Sequence, residues 1–237
     1  MNRGLKKVGN DTRYRILLVA LRMFLEKGYS NTSISMIAKE LRGTASKGTV
    51  TFHFHTKEEI LAVLIKELCE FQWELMEQQV AEGQSALVAY LLELATMASV
   101  ADENAVEKDL YVSAYTNSLS LEIIRKNDTQ KAKWVFGEYC PGWTENDYIK
   151  AENIVSGIEY AMFMLENTET LTLDERIISS LDTIMKTYGL SEEIRKKKIQ
   201  IVLDMDYRKL GRRILKEFIK YVSDASEKGL LDVIVEK

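Results

Sequence analysis

The sequence predicts an all-α chain, and three observations predict it. The 237 residues contain one proline, the residue that helix interiors exclude because it removes an amide donor and clashes with the preceding turn. Apolar residues recur at three- and four-residue spacing along most of the length. Ser, Thr and Asp precede these runs and Gly follows several of them, as helix caps require. The composition, 46% hydrophobic and 29% charged, excludes the disordered, collagen-like and disulfide-scaffold classes. Cys69 and Cys140 are too few for a disulfide framework and point to a reducing compartment.

The elements follow in order. After a polar stretch over 1–10, Ile16, Val19, Ala20, Met23 and Phe24 make a helical face from Asp11 or Thr12 to Gly28. Thr32 or Ser33 caps a short helix carrying Ile34, Ile37, Ala38 and Leu41, and Gly43 stops it. Thr49–His55 alternates polar and apolar residues and alone reads as a strand. Both flanks are helical, so it has no partner strand for its backbone and is expected as a third short helix. Thr56, with Glu58 and Glu59 behind it, opens a long helix towards Gly83. Further helices read over 85–100, 104–125 and 128–139. The Pro141-Gly142 break comes next, then Thr144–Glu166, Leu173–Leu190 and one long helix from Ser191 to about Val222.

Net charge hides an asymmetry. Residues 1–60 carry +6, residues 61–190 carry −13 and residues 191–237 carry +3. A basic head on an acidic body suits a polyanion partner for the head alone. Leu87–Ala101 is the longest apolar run, but Glu93 breaks it short of a membrane span, and Ile16–Leu21 lacks the flanks of a signal peptide. No membrane association is expected, and the cytosol is the expected location.

Three short helices with a tight turn before the third make a helix-turn-helix, whose second helix is thin enough to enter the major groove. Ile16-Leu17, Ala20, Phe24, Lys27-Gly28-Tyr29, Thr32-Ser33, Ile37-Ala38, Lys47-Gly48-Thr49, His53-Phe54 and Lys57-Glu58-Glu59 resemble, in order and spacing, the head of the TetR family of bacterial transcriptional regulators. Two departures stand out. The turn over 41–48 is two residues longer than is usual there, and Thr51 replaces a common tyrosine.

The resemblance implies a helix-turn-helix head over 1–58, and a helical ligand-binding and dimerisation region over 59–237 with 191–237 as an extension. It implies that Ser46, Lys47 and Thr49 face base edges, that Thr51 and His53 lie at the groove or its wall, and that Lys57 and Thr44 hold phosphates. Lys47 suits either guanine O6/N7 or a phosphate. Val50, Phe52 and Phe54 are expected as core against Ile16, Ala20 and Ile37.

For the body the resemblance implies a homodimer interface on Thr144–Glu166 and Leu173–Leu190, with Met162, Phe163, Leu165, Leu181, Ile184 and Met185 as candidates. It also implies a pocket for a small-molecule inducer, with Trp73, Tyr111, Tyr115, Trp134, Tyr139, Trp143 and Tyr148 as candidate liners. Buried acids such as Glu93 or Glu122 would favour a cationic ligand. The expected function is a homodimeric repressor on a palindromic DNA operator, released by the inducer. The alternative is a helical protein-interaction module without sequence-specific DNA binding. No catalytic constellation, cofactor loop or metal pattern is expected: the chain has two His, and His53 and His55 lie on different helix faces.

Overall fold

The computed structural model describes residues 11–41 and 45–227, without the side chains of 11 and 223–227. The described residues form eleven α-helices and no strand. The first, α1 (Asp11–Lys27), ends where Gly28 takes φ +89° and donates its amide to Phe24 O at 3.0 Å. Ser33 caps α2 (Ile34–Glu40) by accepting from Met36 N. The strand-like segment is the helix α3 (Lys47–His53), and its start is closed reciprocally. Ser46 Oγ accepts from Thr49 N at 3.1 Å, and Thr49 Oγ1 accepts from Ser46 N at 3.2 Å. Two amide donors are thereby satisfied where β propensity would otherwise prevail. Ile16, Ala20, Phe24, Ile37, Val50 and Phe54 are buried together and join the three helices.

Thr56 caps α4 (Lys57–Ala81), which runs from this cluster into the rest of the molecule. There α5 (Ala86–Glu103) is the axis. It packs against α4, α6 (Ala105–Thr116), α7 (Ser118–Phe136), α8 (Glu145–Met164), α9 (Leu173–Thr187), α10 (Glu192–Leu203) and α11 (Tyr207–Glu227). A helix covered on all sides is apolar on all sides, which explains the Leu87–Ala101 run. No described helix is long and apolar enough to cross a membrane.

Three helix boundaries differ from expectation: the break expected between residues 125 and 128 is absent, since α7 runs through it, and two new breaks fall at side chains that compete with the backbone. The helix expected over 104–125 breaks at Asn117, whose Oδ1 accepts from Leu119 N and Ser120 N at 3.0 and 3.2 Å and so starts α7. The single helix expected from Ser191 breaks after Leu203, and Asp206 Oδ1 accepts from Lys209 N at 3.1 Å to begin α11. Residues 192–227 therefore form a pair. Here α10 lies on α9 and α5, and α11 lies along α5 and reaches α1, where Tyr14 Oη donates to Val222 O at 2.7 Å. Gly211 permits that approach: a Cβ there would stand 2.7 Å from Thr96 O and from Ser99 Oγ.

The candidate interface residues need correction. Met162, Phe163, Leu181, Ile184 and Met185 are at most 1% exposed, inside the chain's own core. Five side chains that already fill this core have no face left for a second subunit. Leu165, at 39%, is the exposed member of the set. The outward stripe of α8 is Ile154 (61% exposed), Met164 and Leu165, with exposed Gly157 and half-buried Ile158 and Ala161 between them.

Candidate nucleic-acid interface and the cavity behind it

On α3 the helical period decides which side chains face outward. Val50 and the C-cap Phe54, four apart, are buried, whereas Phe52 lies two residues from each and is 78% exposed. The expectation that Phe52 is core is therefore overturned, because it followed the alternation of a strand and α3 turns through 100° per residue. Its ring meets His53 edge-on at 5.3 Å. An exposed aromatic beside Lys47 and Gly48, both also exposed, makes an outer surface of mixed apolar and cationic character.

The other expected contact residues are partly engaged within the head. Ser46 and Thr49 close the cap. Thr51 Oγ1 donates back to the carbonyls of Lys47 and Gly48, each at 3.1 Å. His53 O accepts from Arg13 Nη1 at 3.2 Å, and burial and the nearby Arg13 charge lower the His53 pKa. Lys57 Nζ donates to Tyr29 O at 2.8 Å and sits 3.9 Å above the Tyr29 ring, so one of its three donors holds the turn between α1 and α2. Thr44 lies outside the described residues.

The same turn is tied to the body. Asp109, on α6, accepts from Ser30 N at 2.7 Å and Ser30 Oγ at 2.5 Å. Its Oδ2 would stand 2.8 Å from a Cβ at Gly28, so the glycine admits the carboxylate. Nothing in the local sequence around Asp109 marks this role, because the partner is 79 residues away.

Residues beside Asp109 on α6 line a cavity of about 90 Å³ formed by α1, α4, α5, α6, α7, α8 and α11. Tyr111 and Tyr115 are in its wall. Trp73, Trp134, Tyr139, Trp143 and Tyr148 are not. Trp73 and Trp134 pair elsewhere, with ring centroids 5.5 Å apart, and Trp134 is 41% exposed. Trp143 packs on Tyr148 and Tyr188, against the end of α9.

Beside the cavity is a buried polar cluster. Lys131 Nζ stands 2.5 Å from Glu93 Oε1 and 4.0 Å from Asp128 Oδ1. Tyr115 Oη donates to Glu159 at 3.0 Å, and Tyr188 Oη donates to Glu152. Burial raises these acids: Asp128 to about 6, Glu152 to about 8, and Glu159 well above the carboxylate range, with repulsion from Asp128 adding to the latter two. Burial also lifts Glu67 to about 7.

A pH dependence follows. The folded chain holds protons on these acids that the unfolded chain releases near pH 4, so it binds more protons between roughly pH 4 and 8, and stability falls as pH rises through that window. Lys131, raised by its two carboxylate neighbours, stays charged in both states and adds no slope there. The melting temperature is expected to fall from about pH 6.5 to about pH 8.5, and to fall less steeply in Glu152→Gln. A melting temperature that rises over this interval contradicts the burial assigned to Glu152.

Residues 16–64 match the family model described as bacterial regulatory proteins, tetR family. The HTH-type transcriptional regulator AcrR of Shigella flexneri is 35% identical over 82 residues, 35% of this chain and 34% of its own. An uncharacterized HTH-type transcriptional regulator of Bacillus subtilis (strain 168), YuxN, is 30% identical over 106 residues, 45% of this chain and 34% of its own. The chain thus spans about a third of the length of these relatives.

Proposed function

We propose that the chain, whose residues 16–64 match the model of bacterial regulatory proteins, tetR family, is a cytosolic, homodimeric, ligand-responsive repressor of transcription. The observation that carries the reading is the outer face of α3. The helix is capped at its N-terminus and presents Lys47, Gly48 and Phe52 outward on a buried wedge of Val50 and Phe54. A recognition helix needs this form, with its first turn held rigid and its outer side chains free to reach base edges.

In this reading Lys47 binds guanine or a phosphate, and Phe52 packs on a thymine methyl. Thr49, Thr51, His53 and Ser46 line the groove as their caps and back-bonds allow, and Lys57 offers its two remaining donors to a phosphate. The apolar stripe of Ile154, Met164 and Leu165 on α8 meets a second copy, which sets two α3 helices about 34–36 Å apart for a palindromic site. A ligand in the cavity favours a form of the dimer whose heads no longer match that spacing, and acts only through its differential affinity for the two forms.

The test is selection of a binding site from random duplex DNA, followed by titration of variants on it. Lys47→Ala is expected to weaken binding and to flatten the salt dependence by about one charge if the contact is to phosphate, or to relax one base position if it is to guanine. Phe52→Ala is expected to relax selection for thymine, with about 1–3 kcal/mol lost at that position. Wild-type affinity and selection pattern in both variants would remove α3 from the groove. Failure of the chain to retain any DNA would favour the protein-interaction module instead.

A further inference from the structure

The cavity combines an apolar wall with acidic side chains. Glu93, Glu107, Asp128 and Glu159 contribute carboxyl groups, and no Lys, Arg or His is among its described lining residues. Glu93 Oε1 is occupied by Lys131, which stands behind the wall, and Glu159 is occupied by Tyr115. Glu93 Oε2, Glu107 Oε2 and Gln79 Oε1 are different. All three are buried acceptors with no hydrogen-bond donor among the described residues, and all three belong to residues lining the cavity.

A buried acceptor left without a donor loses its hydration and gains nothing in return, a penalty of about 1–3 kcal/mol that is greater for a charged group. Three acceptors in one wall therefore specify what would relieve them: an N–H donor that carries positive charge. The Tyr111 and Tyr115 rings in the same wall suit a cation, and the remaining lining, rich in Leu, Ile and Met, suits an alkyl or aryl body. A volume near 90 Å³ sets the scale at a small molecule. Met76 and Met97, with three rotatable bonds each, let the wall adapt to its shape.

We infer that the cavity binds small apolar organic amines in their protonated form, with the ammonium N–H groups donated to Glu93, Glu107 and Gln79. An anion would meet the unpartnered oxygens of Glu93 and Glu107 and, among the described lining residues, no cation. A neutral hydrocarbon would leave the three acceptors unrelieved. This inference rests on the reading of the chain as ligand-responsive and names the class of its ligand.

The experiment uses three probes that share a six-carbon chain and differ in the head group: n-hexylammonium, 1-hexanol and hexanoate. Binding to the full chain is measured by calorimetry without DNA, which separates this inference from the proposed repressor function. The ammonium is expected to bind about tenfold or more tightly than the alcohol, the scale of one charge-assisted hydrogen bond, and hexanoate is expected not to bind. Glu107→Gln is expected to cut the preference for the ammonium over the alcohol at least severalfold. Glu93→Gln should do the same, and its melting curve reports whether loss of the Lys131 partner has unfolded it. Equal affinity for ammonium and alcohol, or a preference untouched in a folded Glu107→Gln, overturns the inference. Ammonium binding that leaves DNA affinity unchanged supports the inference and counts against inducer release.

Discussion

Replacing Lys131 with methionine is expected to destabilise the chain by about 3–5 kcal/mol, the usual result when one member of a buried ion pair is removed. Lys131 is 1% exposed, and its ammonium is the cation facing Glu93 and Asp128. Methionine nearly preserves the volume, so packing changes little and the loss reports the charge. Two carboxyl groups are then left without a cation in a setting that already lifts Asp128 to about 6. Because Asp128 can escape that penalty by holding its proton, the deficit relative to wild type is expected to grow as pH rises from about 5 to about 8. The double variant Lys131→Met/Glu93→Leu supplies the control. Removing both partners of the close pair leaves an apolar contact and should recover much of the loss. Chemical denaturation at two pH values measures all three. A single variant within 1 kcal/mol of wild type at both would mean that the pair is hydrated and the cluster is not buried.

The head was legible in the sequence to a degree that the body was not, and the reason lies in range. Caps at Ser33, Ser46 and Thr56 bond to amides three residues on, so the residues that start each helix stand next to the residues they serve. Phe52 shows the limit of that local reading. The segment alternates as a strand does, and only the choice of helix turns position 52 outward. In the body the decisive contacts are distant: Lys131 to Glu93 spans 38 residues, Tyr115 to Glu159 spans 44 and Arg125 to Ser156 spans 31. A lysine or glutamate in a helix reads as a solvated face, and nothing local distinguishes Lys131 from Lys126. The aromatic residues misled for the same reason. Trp73 and Trp134 are polar-tipped and spaced like pocket liners, yet they meet each other outside the cavity, while aliphatic residues and four acids form most of its wall. The interface candidates failed by being too apolar: in a region whose helices pack mainly on one central α5, the most hydrophobic positions of α8 and α9 turn inward, and the outward stripe is the more modest set beginning at Ile154.

The substitution with the largest expected effect on regulation is Asp109→Ala. One face of α6 carries Glu107, Leu110, Tyr111, Ala114 and Tyr115 into the cavity wall, and Asp109 on the other holds the amide and hydroxyl of Ser30. Ser30 lies three residues before the cap of α2, so in the proposed function a displacement of α6 by a ligand reaches the head through this carboxylate, beside the direct α1–α6 contact. In the proposed function, alanine removes the handle while leaving α3 and its groove-facing side chains intact. Affinity of the ligand-free variant for DNA is expected to stay within a few-fold of wild type, whereas the ligand-induced loss of affinity, ordinarily about 5–150-fold in allosteric proteins, should shrink towards unity. Reciprocity supplies a second measurement on the same variant. If ligand no longer weakens DNA binding, DNA must no longer weaken ligand binding, by the same factor. Asp109→Asn, whose carbonyl oxygen can still accept from Ser30, is expected to restore part of the response, which a general weakening of the fold would not do. A variant that responds to ligand as wild type does would assign the coupling to the rest of the α1–α6 contact and leave Asp109 with a structural role alone.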